Sequence, residues 1–502
     1  MTDMEDWLQR TAGTPPVFAE AEIPIDVLKQ LRRRDLTINV PGGIVVVRSP
    51  DDDPDAVLAA VFWSIIEKLT QIYKPALVER DSAVRLYIGR TEPGAETRIR
   101  QTSQTRWRKE IVPGAAARIE RGVIAASEQL HVGEATIPVE TPERLLLSLP
   151  VSFLRDDGLA DLSIWLKSLV LVRPAVIEAY RDNPRPVVLK RIEDIARDVG
   201  NIQLADLLAE VIGSEQSVRI GRDRTGVGRT LIIPTAITDL TTTREPWLDR
   251  LTVMIRESAV QLAQVFPPAS QSSEPLPALL ENAQRRKSYD AYHSSSIEGY
   301  RLQIDEVFRL LQPGAADATA IDDIVSKTAV IGYGKAFDAL IKRFETADST
   351  VELSSNLSLD LYTDLFTPSV EAGLIDRRDL RRFRQGPVFI RNTLYVPPNA
   401  EKVPSMIDLV FDEVNRVPES DGLLRAALVH LWFVWVHPFP DGNGRVSRFL
   451  MNAALLNARQ QWLTIRVQQR NSYFETLRRA QLDEKYDEFA RFILQSVREA
   501  SE

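Results

Sequence analysis

Residues 437–448, with the sequence HPFPDGNGRVSR, combine residue types that can hold phosphate groups. Gly442 and Gly444 permit positive φ angles, so successive backbone N–H groups of this loop can turn toward one anion. The segment separates two apolar runs of helical character, and the first amides of the second helix would point the same way. Arg445 and Arg448 are three residues apart on that helix, so both guanidinium groups can face one phosphate chain. The pattern predicts an anion cradle with two arginine forks.

Two other side chains of this segment add reactive groups. His437 carries an imidazole whose ordinary pKa is about 6.5, so its neutral form can act as a base at neutral pH. Asp441 offers a carboxylate beside the phosphates, which suits a Mg²⁺ ion that keeps several of its waters. A base, a metal carboxylate and a positive phosphate clamp together favour phosphoryl or nucleotidyl transfer.

The segment resembles the signature HPFxDGNGRxxR of the Fic family and matches it at every fixed position. The resemblance implies a protein adenylyltransferase that moves AMP from ATP, with Mg²⁺, to a Ser, Thr or Tyr hydroxyl of a target protein. Gly444 stands where the kinase branch, represented by the Doc toxins, has lysine, so nucleotide transfer is expected. ATP over UTP or CTP is implied by the family alone. The implied roles are a general base for His437, core packing for Phe439, Mg²⁺ binding for Asp441, an anion hole for Gly442, Asn443 and Gly444, and nucleotide phosphate binding for Arg445 and Arg448.

A second motif lies upstream, in the sequence SSSIEG at residues 294–299. It resembles the inhibitory motif [S/T]xxxE[G/N] of the family through Ser294, Glu298 and Gly299. A glutamate on a neighbouring helix could pair with Arg448 and occupy the fork meant for the γ-phosphate. The motif precedes the signature, so the resemblance implies the N-terminally autoinhibited class. In some relatives such a glutamate also positions water for removal of AMP, so a de-AMPylase is the alternative function.

The elements that must position these residues are mostly helical. The hydrophobic period predicts helices within 279–298, 305–311, 329–344, 406–414 and 423–436, with further helix to the C-terminus. Two β-rich runs, 388–391 and 394–396, interrupt this pattern and predict a hairpin with a two-residue turn. The hairpin resembles the flap that clamps the target segment in the family by strand addition. The implied target-docking residues are Val388, Phe389, Ile390, Leu394 and Tyr395.

The whole chain is predicted to be α+β, with an all-helical Fic core and its hairpin flap in the C-terminal half. A proline- and serine-rich stretch predicts a linker. The predicted segments are a winged-helix-like domain at 1–72, a mixed α/β domain at 73–265, the linker at 266–277, and the Fic domain with its N-terminal inhibitory helix at 278–502.

The N-terminal half resembles, through short motifs, the antitoxins of abortive-infection (AbiE-type) toxin–antitoxin systems. Residues 35–48 look like a wing hairpin, residues 137–147 resemble the segment vaTPERAllD, and residues 188–213 resemble the helices that follow it. Ser148 departs from the aspartate that is common there. The resemblance implies either DNA contact near the arginines at 32–34 or a protein-binding or dimerisation domain, so a DNA-binding regulator with a Fic module is a further alternative.

Composition narrows the classes of protein and of site that the chain can represent. The chain has 502 residues, 44% of them hydrophobic, a net charge of −8 and no cysteine, which excludes disulfides and thiolate metal sites. Its most apolar stretch, 423–436, is shorter than a membrane span and contains Arg425 and His430. The Gly- and Arg-rich stretch 220–229 lacks the Lys-Ser/Thr of a P-loop and predicts a surface hairpin. We therefore expect a cytoplasmic protein without a membrane partner, with a second copy of the chain as a further candidate partner.

Overall fold

A computed structural model describes most of the chain. The described residues are 3–11, 16–50, 53–124, 126–154, 158–214, 233, 235–243, 245–268, 274–312, 323–346, 350–386, 388, 390, 393 and 395–501. Contacts divide the chain into two compact units, Met1–Val253 with Pro387–Asn399 and Met254–Gly386 with Ala400–Glu502. This division falls inside the helix Pro246–Ala263, upstream of the predicted linker. The division into four segments therefore stays a prediction, and the predicted surface hairpin at 220–229 lies outside the described residues.

The first unit combines helices with two sheets. Its helices are α1 (Asp3–Thr11), α2 (Ile25–Arg33), α3 (Pro54–Ala60), α4 (Phe62–Ile72), α5 (Arg80–Tyr87), α6 (Pro142–Ser148), α7 (Leu159–Ser168), α8 (Arg173–Asp182), α9 (Pro186–Asp198), α10 (Ile202–Ser214), α11 (Thr235–Thr238) and the start of α12 (Pro246–Ala263). Its strands are β1 (Val17–Ala19), β2 (Thr37–Val40), β3 (Ile44–Val47), β4 (Ala76–Val78), β5 (Glu96–Gln101), β6 (Trp107–Val112), β7 (Ala115–Arg121), β8 (Ser127–Val132) and β9 (Ala135–Glu140).

The smaller sheet contains the hairpin predicted at 35–48. Strands β2 and β3 pair antiparallel, and β1 adds to the other edge of β3, giving the order β1-β3-β2. Gly42 and Gly43 both have positive φ in the turn, which explains why the sequence has two glycines there. A small core of apolar side chains from α1, α2 and β3, including Trp7, Leu31 and Val45, is buried beside this sheet. Two helices, α3 and α4, follow this sheet and are separated at Val61.

The larger sheet has six strands in the order β6-β7-β5-β4-β9-β8. Two of its pairings are parallel, β4 with β9 and β5 with β7, and the other three are antiparallel. Alternate residues of β5 are buried, as expected for a strand with one face on a core. Helices α6 to α10 contribute apolar side chains to the same core. The mixed character predicted for 73–265 is present in these residues.

The described part of the second unit is helical. Its elements are the end of α12, α13 (Leu276–Ile297), α14 (Ile304–Leu310), α15 (Ile324–Thr346), α16 (Ser355–Glu371), α17 (Val403–Asn415), α18 (Gly422–Val436), α19 (Asn443–Asn457), α20 (Arg470–Asp483) and α21 (Tyr486–Ser501), with short 3₁₀ turns. Every residue of α18 from Arg425 onward is buried, as expected for a helix that is apolar on all sides. The predicted α+β class with a helical C-terminal core is confirmed.

The predicted hairpin at 388–396 is only partly described. Val388, Ile390, Thr393 and residues 395–396 are described, and no strand is assigned among them. Phe389 and Leu394, two of the predicted docking residues, lie outside the described residues. The hairpin therefore stays a prediction.

Among the helices in the described part of the chain, none combines the length and the apolar character needed to cross a bilayer.

Candidate active site

The signature loop, residues 437–442, connects α18 to α19. His437 ends α18 in the left-handed region with φ of 53°, and its backbone N–H donates to Phe433 O at 2.9 Å. Gly442 precedes α19 with φ of 77°, a conformation that favours glycine. A Cβ at Gly442 would also lie 2.6 Å from the ring of Phe366. The first backbone amides of α19, from Asn443 onward, have no acceptor within the helix and can bind an anion.

His437 is oriented by the end of its own helix. Its Nδ1 lies 3.3 Å from the carbonyl oxygen of Val434, which can only accept a hydrogen bond. The Nδ1–H tautomer therefore satisfies this contact and leaves Nε2 with a free lone pair. Burial lowers the pKa of His437 to about 4, and the positive charge of Arg384 acts in the same direction. The imidazole is thus neutral at pH 7 and can accept a proton at Nε2.

Two side chains fix the backbone of the signature loop. Arg384 is buried, and its Nε donates to His437 O at 2.8 Å while its backbone N–H donates to Pro438 O at 2.9 Å. Asn443 brackets Phe439 from the other side, with Nδ2 donating to Phe439 O at 2.8 Å and Oδ1 accepting from Phe439 N at 2.9 Å. The side-chain amide of Asn443 is therefore used within the loop. Only its backbone N–H is left for the predicted anion hole.

Phe439 holds the loop against the helical core. Its side chain is completely buried and stacks on Tyr362 of α16, with ring centroids 4.0 Å apart and an interplanar angle of 8°. Phe433 and Phe383 pack around the same ring. These contacts connect the position of His437 to helices that are distant in sequence.

Replacing Phe439 with alanine should destabilise the second unit by about 3–5 kcal/mol, because a fully buried aromatic ring is removed and a cavity remains. Calorimetric melting of the full chain would measure the shift of the corresponding transition. Phe308→Ala serves as the control, since Phe308 on α14 is 40% exposed and its loss should have little effect. Equal shifts for the two variants would contradict the packing role of Phe439.

Arg445 is buried with unused hydrogen-bonding capacity. Its side chain is only 1% exposed and lies between the rings of Tyr300 and Phe366, with Cζ 5.1 Å and 5.0 Å from their centroids. Nη2 is 3.3 Å from Oδ2 of Asp441, whereas Nε and Nη1 have no hydrogen-bond partner in the described part of the chain. Buried donors of a charged group are costly to leave unpaired. Phosphate oxygens would satisfy them.

In contrast to Arg445, Arg448 donates hydrogen bonds from all three of its guanidinium nitrogens. Nη2 donates to Oε1 of Glu298 at 2.6 Å and to the carbonyl oxygen of Ser294 at 3.0 Å. Nε donates to Oγ of Ser294 at 2.8 Å, and Nη1 to the hydroxyl of Tyr473 at 3.3 Å. The predicted contact between Glu298 and Arg448 is present. Arg448 also donates to Tyr473, a residue that neither motif predicted as a partner.

A buried histidine, His430, contacts the Tyr473 hydroxyl that binds Arg448. His430 on α18 is fully buried, and burial lowers its pKa to about 3, so it is neutral. Its Nε2 lies 2.9 Å from the hydroxyl of Tyr473. A neutral Nε2 can accept the hydroxyl proton, which turns the oxygen of Tyr473 toward Arg448. Burial also raises the pKa of Tyr473 to about 12, so the hydroxyl keeps its proton at neutral pH.

The inhibitory motif forms the end of α13. Glu298 is the C-cap of that helix, and Gly299 follows with φ of 97°, the usual place for a glycine beyond a helix. Glu298 also reaches the start of α19, because a Cβ at Gly444 would lie 2.3 Å from its Oε1. A glycine at position 444 therefore leaves room for this carboxylate.

Asp441 supplies a single carboxylate to this region. Its Oδ1 accepts from the backbone N–H of Gly442 at 2.6 Å, and its side chain is 66% exposed. Among the described residues, no group of three or more His, Cys, Asp or Glu side chains could hold a metal ion. One exposed carboxylate beside a phosphate site suits Mg²⁺, which takes its other ligands from phosphate oxygens and water. The residues present fit that ion.

The residues that form this site match the model of a known protein family. Residues 352–455, which include α16 to α18, the signature loop and most of α19, match the model of the Fic/DOC family. The chain carries a Fic domain.

Relatives of this Fic domain include proteins from animals and bacteria. A curated protein named protein adenylyltransferase Fic, from Nematostella vectensis, is 30% identical over 197 residues, which are 38% of this chain and 42% of the relative. A probable protein adenylyltransferase from Aquifex aeolicus is 30% identical over 141 residues, which are 28% of this chain and 40% of the relative. The chain thus spans about two fifths of the length of these relatives. A solved structure of Fic-1 (aa134–508) from C. elegans is 19% identical, with a TM-score of 0.37, and the match covers 68% of this chain and 90% of that one.

The geometry brings most predicted residues of the Fic domain together. Ser294 and Glu298 meet Arg448, Arg445 meets Asp441, and these residues surround the start of α19. The missed residues are Arg384, Tyr300, Phe366, Tyr362 and Tyr473, all of which lie outside both motifs. Helix α16, which carries two of them, was also missed. A buried arginine such as Arg384 leaves no signal in a single sequence, since only packing distinguishes it from a surface arginine.

Proposed function

We propose that the protein is a nucleotidyltransferase that moves AMP from ATP to a hydroxyl of a target protein and is autoinhibited by Glu298. The observation that carries the proposal is the bonded state of Arg448 beside an oriented, neutral His437. The names of the relatives agree with this activity, and the family resemblance supplies AMP as the transferred group. ATP would be the substrate and Mg²⁺ the cofactor.

His437 would act on the acceptor hydroxyl. Nε2 takes the hydroxyl proton as the oxygen attacks the α-phosphorus of ATP. The new O–P bond forms as the bond between the α-phosphorus and its bridging oxygen breaks, and pyrophosphate leaves with the electron pair. The neutral state of His437 at pH 7 and the bond from Nδ1 to Val434 O prepare Nε2 for this step.

The phosphate chain would lie at the start of α19. The backbone amides after Gly442 and the unpaired Nε and Nη1 of Arg445 are donors that phosphate oxygens can use. Mg²⁺ held by Asp441 would neutralise charge on the phosphates.

Inhibition would follow from competition for Arg448. Its Nη2 cannot bond a γ-phosphate while Glu298 holds it at 2.6 Å, and the carboxylate would repel the phosphate. Ser294 and Tyr473 keep the guanidinium in the same position from the other sides. Loss of Glu298 would therefore make an N–H of Nη2 available, while the other contacts keep the Arg448 guanidinium oriented.

The transferred group can be tested with α-labelled and γ-labelled ATP in the presence of Mg²⁺. Label retained on protein from α-labelled ATP alone would support AMP transfer. Label from γ-labelled ATP alone would indicate a kinase and contradict the proposal. The assay should include Glu298→Gly, because the wild-type chain is expected to transfer very little label.

The pH dependence of AMP transfer should reflect the low pKa of His437. Burial disfavours the charged imidazolium, so the base stays neutral as the pH falls to about 4. The kcat/KM of Glu298→Gly should therefore be level from pH 8 to about 6 and fall with a midpoint no higher than about 4, because the carboxylate that this substitution removes raises the pKa of His437 in the wild type. The affinity for ATP, measured at each pH, corrects for ionisation of the nucleotide. A midpoint near 6.5 at constant affinity would refute this pKa assignment.

De-AMPylation is the second candidate activity of the same site. The observation in its favour is that Glu298 reaches the position beside Gly444, where a phosphate would be bound. From there its carboxylate could position a water for attack on an AMP-modified side chain. De-AMPylation would be supported if the wild type releases AMP from a modified protein and Glu298→Gly does not. If the wild type releases no AMP, AMP transfer is the only one of the two activities that stands.

DNA binding is a separate proposal for the N-terminal half. Arg33 ends α2 and Arg34 follows it, and both are exposed, with no ion pair to either side chain in the described part of the chain. Arg32 is already paired with Glu20 at 2.9 Å. Retarded migration of duplex DNA by the full chain at low salt, lost in Arg33→Ala/Arg34→Ala, would support DNA contact. Unretarded DNA would favour a protein-binding domain, and the predicted second copy of the chain stays a prediction.

A further inference from the structure

The place of the inhibitory carboxylate depends on the end of α13. Glu298 is the C-cap residue of that helix, so its side chain moves with the last helical turn. The hydrogen bonds that join Ser294 and Glu298 to Arg448 belong to the phosphate site itself. Further hydrogen bonds hold the helix without using Arg448 as a partner, and they come from side chains outside both sequence motifs.

Arg470 bonds the last carbonyl group of α13. Ile297 is the final residue of the helix, and its carbonyl oxygen has no amide donor within the helix. Nε of Arg470, the first residue of α20, donates to this oxygen at 2.8 Å. The guanidinium group lies over the ring of Phe474, with Cζ 4.8 Å from the centroid. A cation at the end of a helix is also favoured by the helix dipole. The residue directly before Glu298 is therefore fixed to α20.

His293 connects the preceding turn of α13 to the same region. Its ring is buried, and its Nδ1 accepts from the backbone N–H of Val467 at 3.1 Å. Burial lowers the pKa of His293 to about 4, and the positive charge of Arg466 acts in the same direction, so the ring is neutral at pH 7 and Nδ1 can accept. Val467 begins the 3₁₀ turn that leads into α20. His293 and Ile297 are four residues apart, so both contacts lie on one face of α13.

Asp290 holds the body of the helix. Its buried carboxylate accepts from the hydroxyl of Tyr333 on α15 at 2.6 Å and from the hydroxyl of Thr464 at 2.7 Å. Asp290, Ser294 and Glu298 are spaced by four residues and share the face of α13 that contacts Arg448. The core thus fixes one face of the helix, whereas Arg470 and His293 fix its last two turns against the start of α20.

We infer that Arg470 and His293 are positioning residues for Glu298, and that their hydrogen bonds to α13 set the strength of the autoinhibition. Loss of either bond loosens the last turn, so ATP displaces the carboxylate from Arg448 more easily. No group assigned to the phosphates is changed. The inference rests on the proposed function and deepens it, because a positioned inhibitory carboxylate has an effect only if the site binds ATP.

Hydrogen exchange of the full chain tests the positioning without any activity. Arg470→Met keeps an unbranched apolar stem beside Phe474 and removes the guanidinium group, and Arg470 is exposed, so no buried cavity results. The backbone amides of 298–300, which donate to the carbonyl groups of Ser295 and Ser296, should exchange about 2- to 10-fold faster because one hydrogen bond at the helix end is lost. His293→Phe keeps a buried ring that cannot accept a hydrogen bond and should act on the same amides.

The same helix provides a matched control for Arg470. Arg478 lies two turns further along α20 and pairs with Glu475 at 2.7 Å on an exposed surface. Arg478→Met should leave the exchange of 298–300 unchanged. Unchanged exchange of these amides in both Arg470→Met and His293→Phe would overturn the inference.

Transfer assays with and without Glu298 test the effect on inhibition. In the otherwise wild-type chain, Arg470→Met should raise AMP transfer from α-labelled ATP by about 2- to 10-fold. In chains that also carry Glu298→Gly it should have no effect, because no carboxylate is left to position. An equal change in both backgrounds would mean that Arg470 acts on the site directly and would overturn the inference. Faster exchange with unchanged transfer would overturn the link to inhibition.

The dissociation constant for ATP separates failure of the inference from failure of the proposed function. Arg470→Met should tighten ATP binding when Glu298 is present and leave it unchanged in the Glu298→Gly background. If no chain attaches label, the proposed function fails, and the two affinities still decide whether Arg470 acts through Glu298. The same affinity change in both backgrounds, or none in either, would overturn that role.

Discussion

Replacement of His437 by alanine should lower the rate of AMP transfer by about 10²–10⁴-fold, the range expected for loss of a positioned general base. The wild-type imidazole is neutral, and its Nδ1 is engaged by Val434 O, so Nε2 is the group lost. Binding of ATP should persist, because the phosphate donors belong to Arg445 and the start of α19. Single-turnover labelling in the Glu298→Gly background measures the rate, and titration with a fluorescent ATP analogue measures the affinity.

The chain offers a matched histidine for this experiment. His131 is exposed in the first unit, and His131→Ala removes its imidazole while leaving the carbonyl group that bonds Asn399. This control should label at the rate of its parent. A His437→Ala chain that binds ATP and labels at more than a tenth of the parent rate would rule out His437 as the base.

The Glu298→Gly substitution should have the largest effect in the opposite direction, raising AMP transfer by about 10- to 100-fold. The estimate corresponds to one charge-assisted hydrogen bond of about 1.5–3 kcal/mol, which ATP no longer has to displace. Arg448 should keep its orientation, because Ser294 and Tyr473 still hold Nε and Nη1. Glu298 follows the last residue of α13, so glycine there interrupts no helical interior.

Two variants separate charge competition from a general loosening of α13. Glu298→Gln keeps the shape and one acceptor but removes the charge, so its rate should fall between those of the wild type and Glu298→Gly. Glu281→Gly removes a glutamate from the same helix, where Oε1 pairs with Arg285 at 2.7 Å on an exposed surface. A rise in Glu281→Gly equal to that in Glu298→Gly would show that the helix, and not its carboxylate, limits the rate.

The two motifs could be interpreted from the sequence because their chemistry is contiguous. Within 437–448, two glycines, two prolines and the start of a helix determine a loop conformation largely by local backbone preferences. Glu298 and Gly299 similarly predict the end of a helix, and the structure has that end. Residue types within one short segment thus suffice to predict a base, a carboxylate and a phosphate cradle.

Tertiary structure decided which of these groups is free. Arg445 and Arg448 look equivalent in the sequence, yet Arg445 has unpaired donors and Arg448 is bonded on every nitrogen. The partners of Arg448 come from positions 294, 298 and 473, and no local preference brings those positions together. The side chain of Asn443 is likewise taken by Phe439, so its predicted role is limited to its backbone N–H.

Burial and long-range contacts explain the remaining differences. The pKa of His437 depends on desolvation by helices that pack around it, which no spacing in the sequence reveals. The hydrogen bond from Arg470 to Ile297 joins residues 173 positions apart. By itself the sequence determined the reactive groups and their local geometry, because these depend on neighbouring residues. Only the tertiary structure decided their charge state and their partners, because these depend on which distant residues pack together and exclude water.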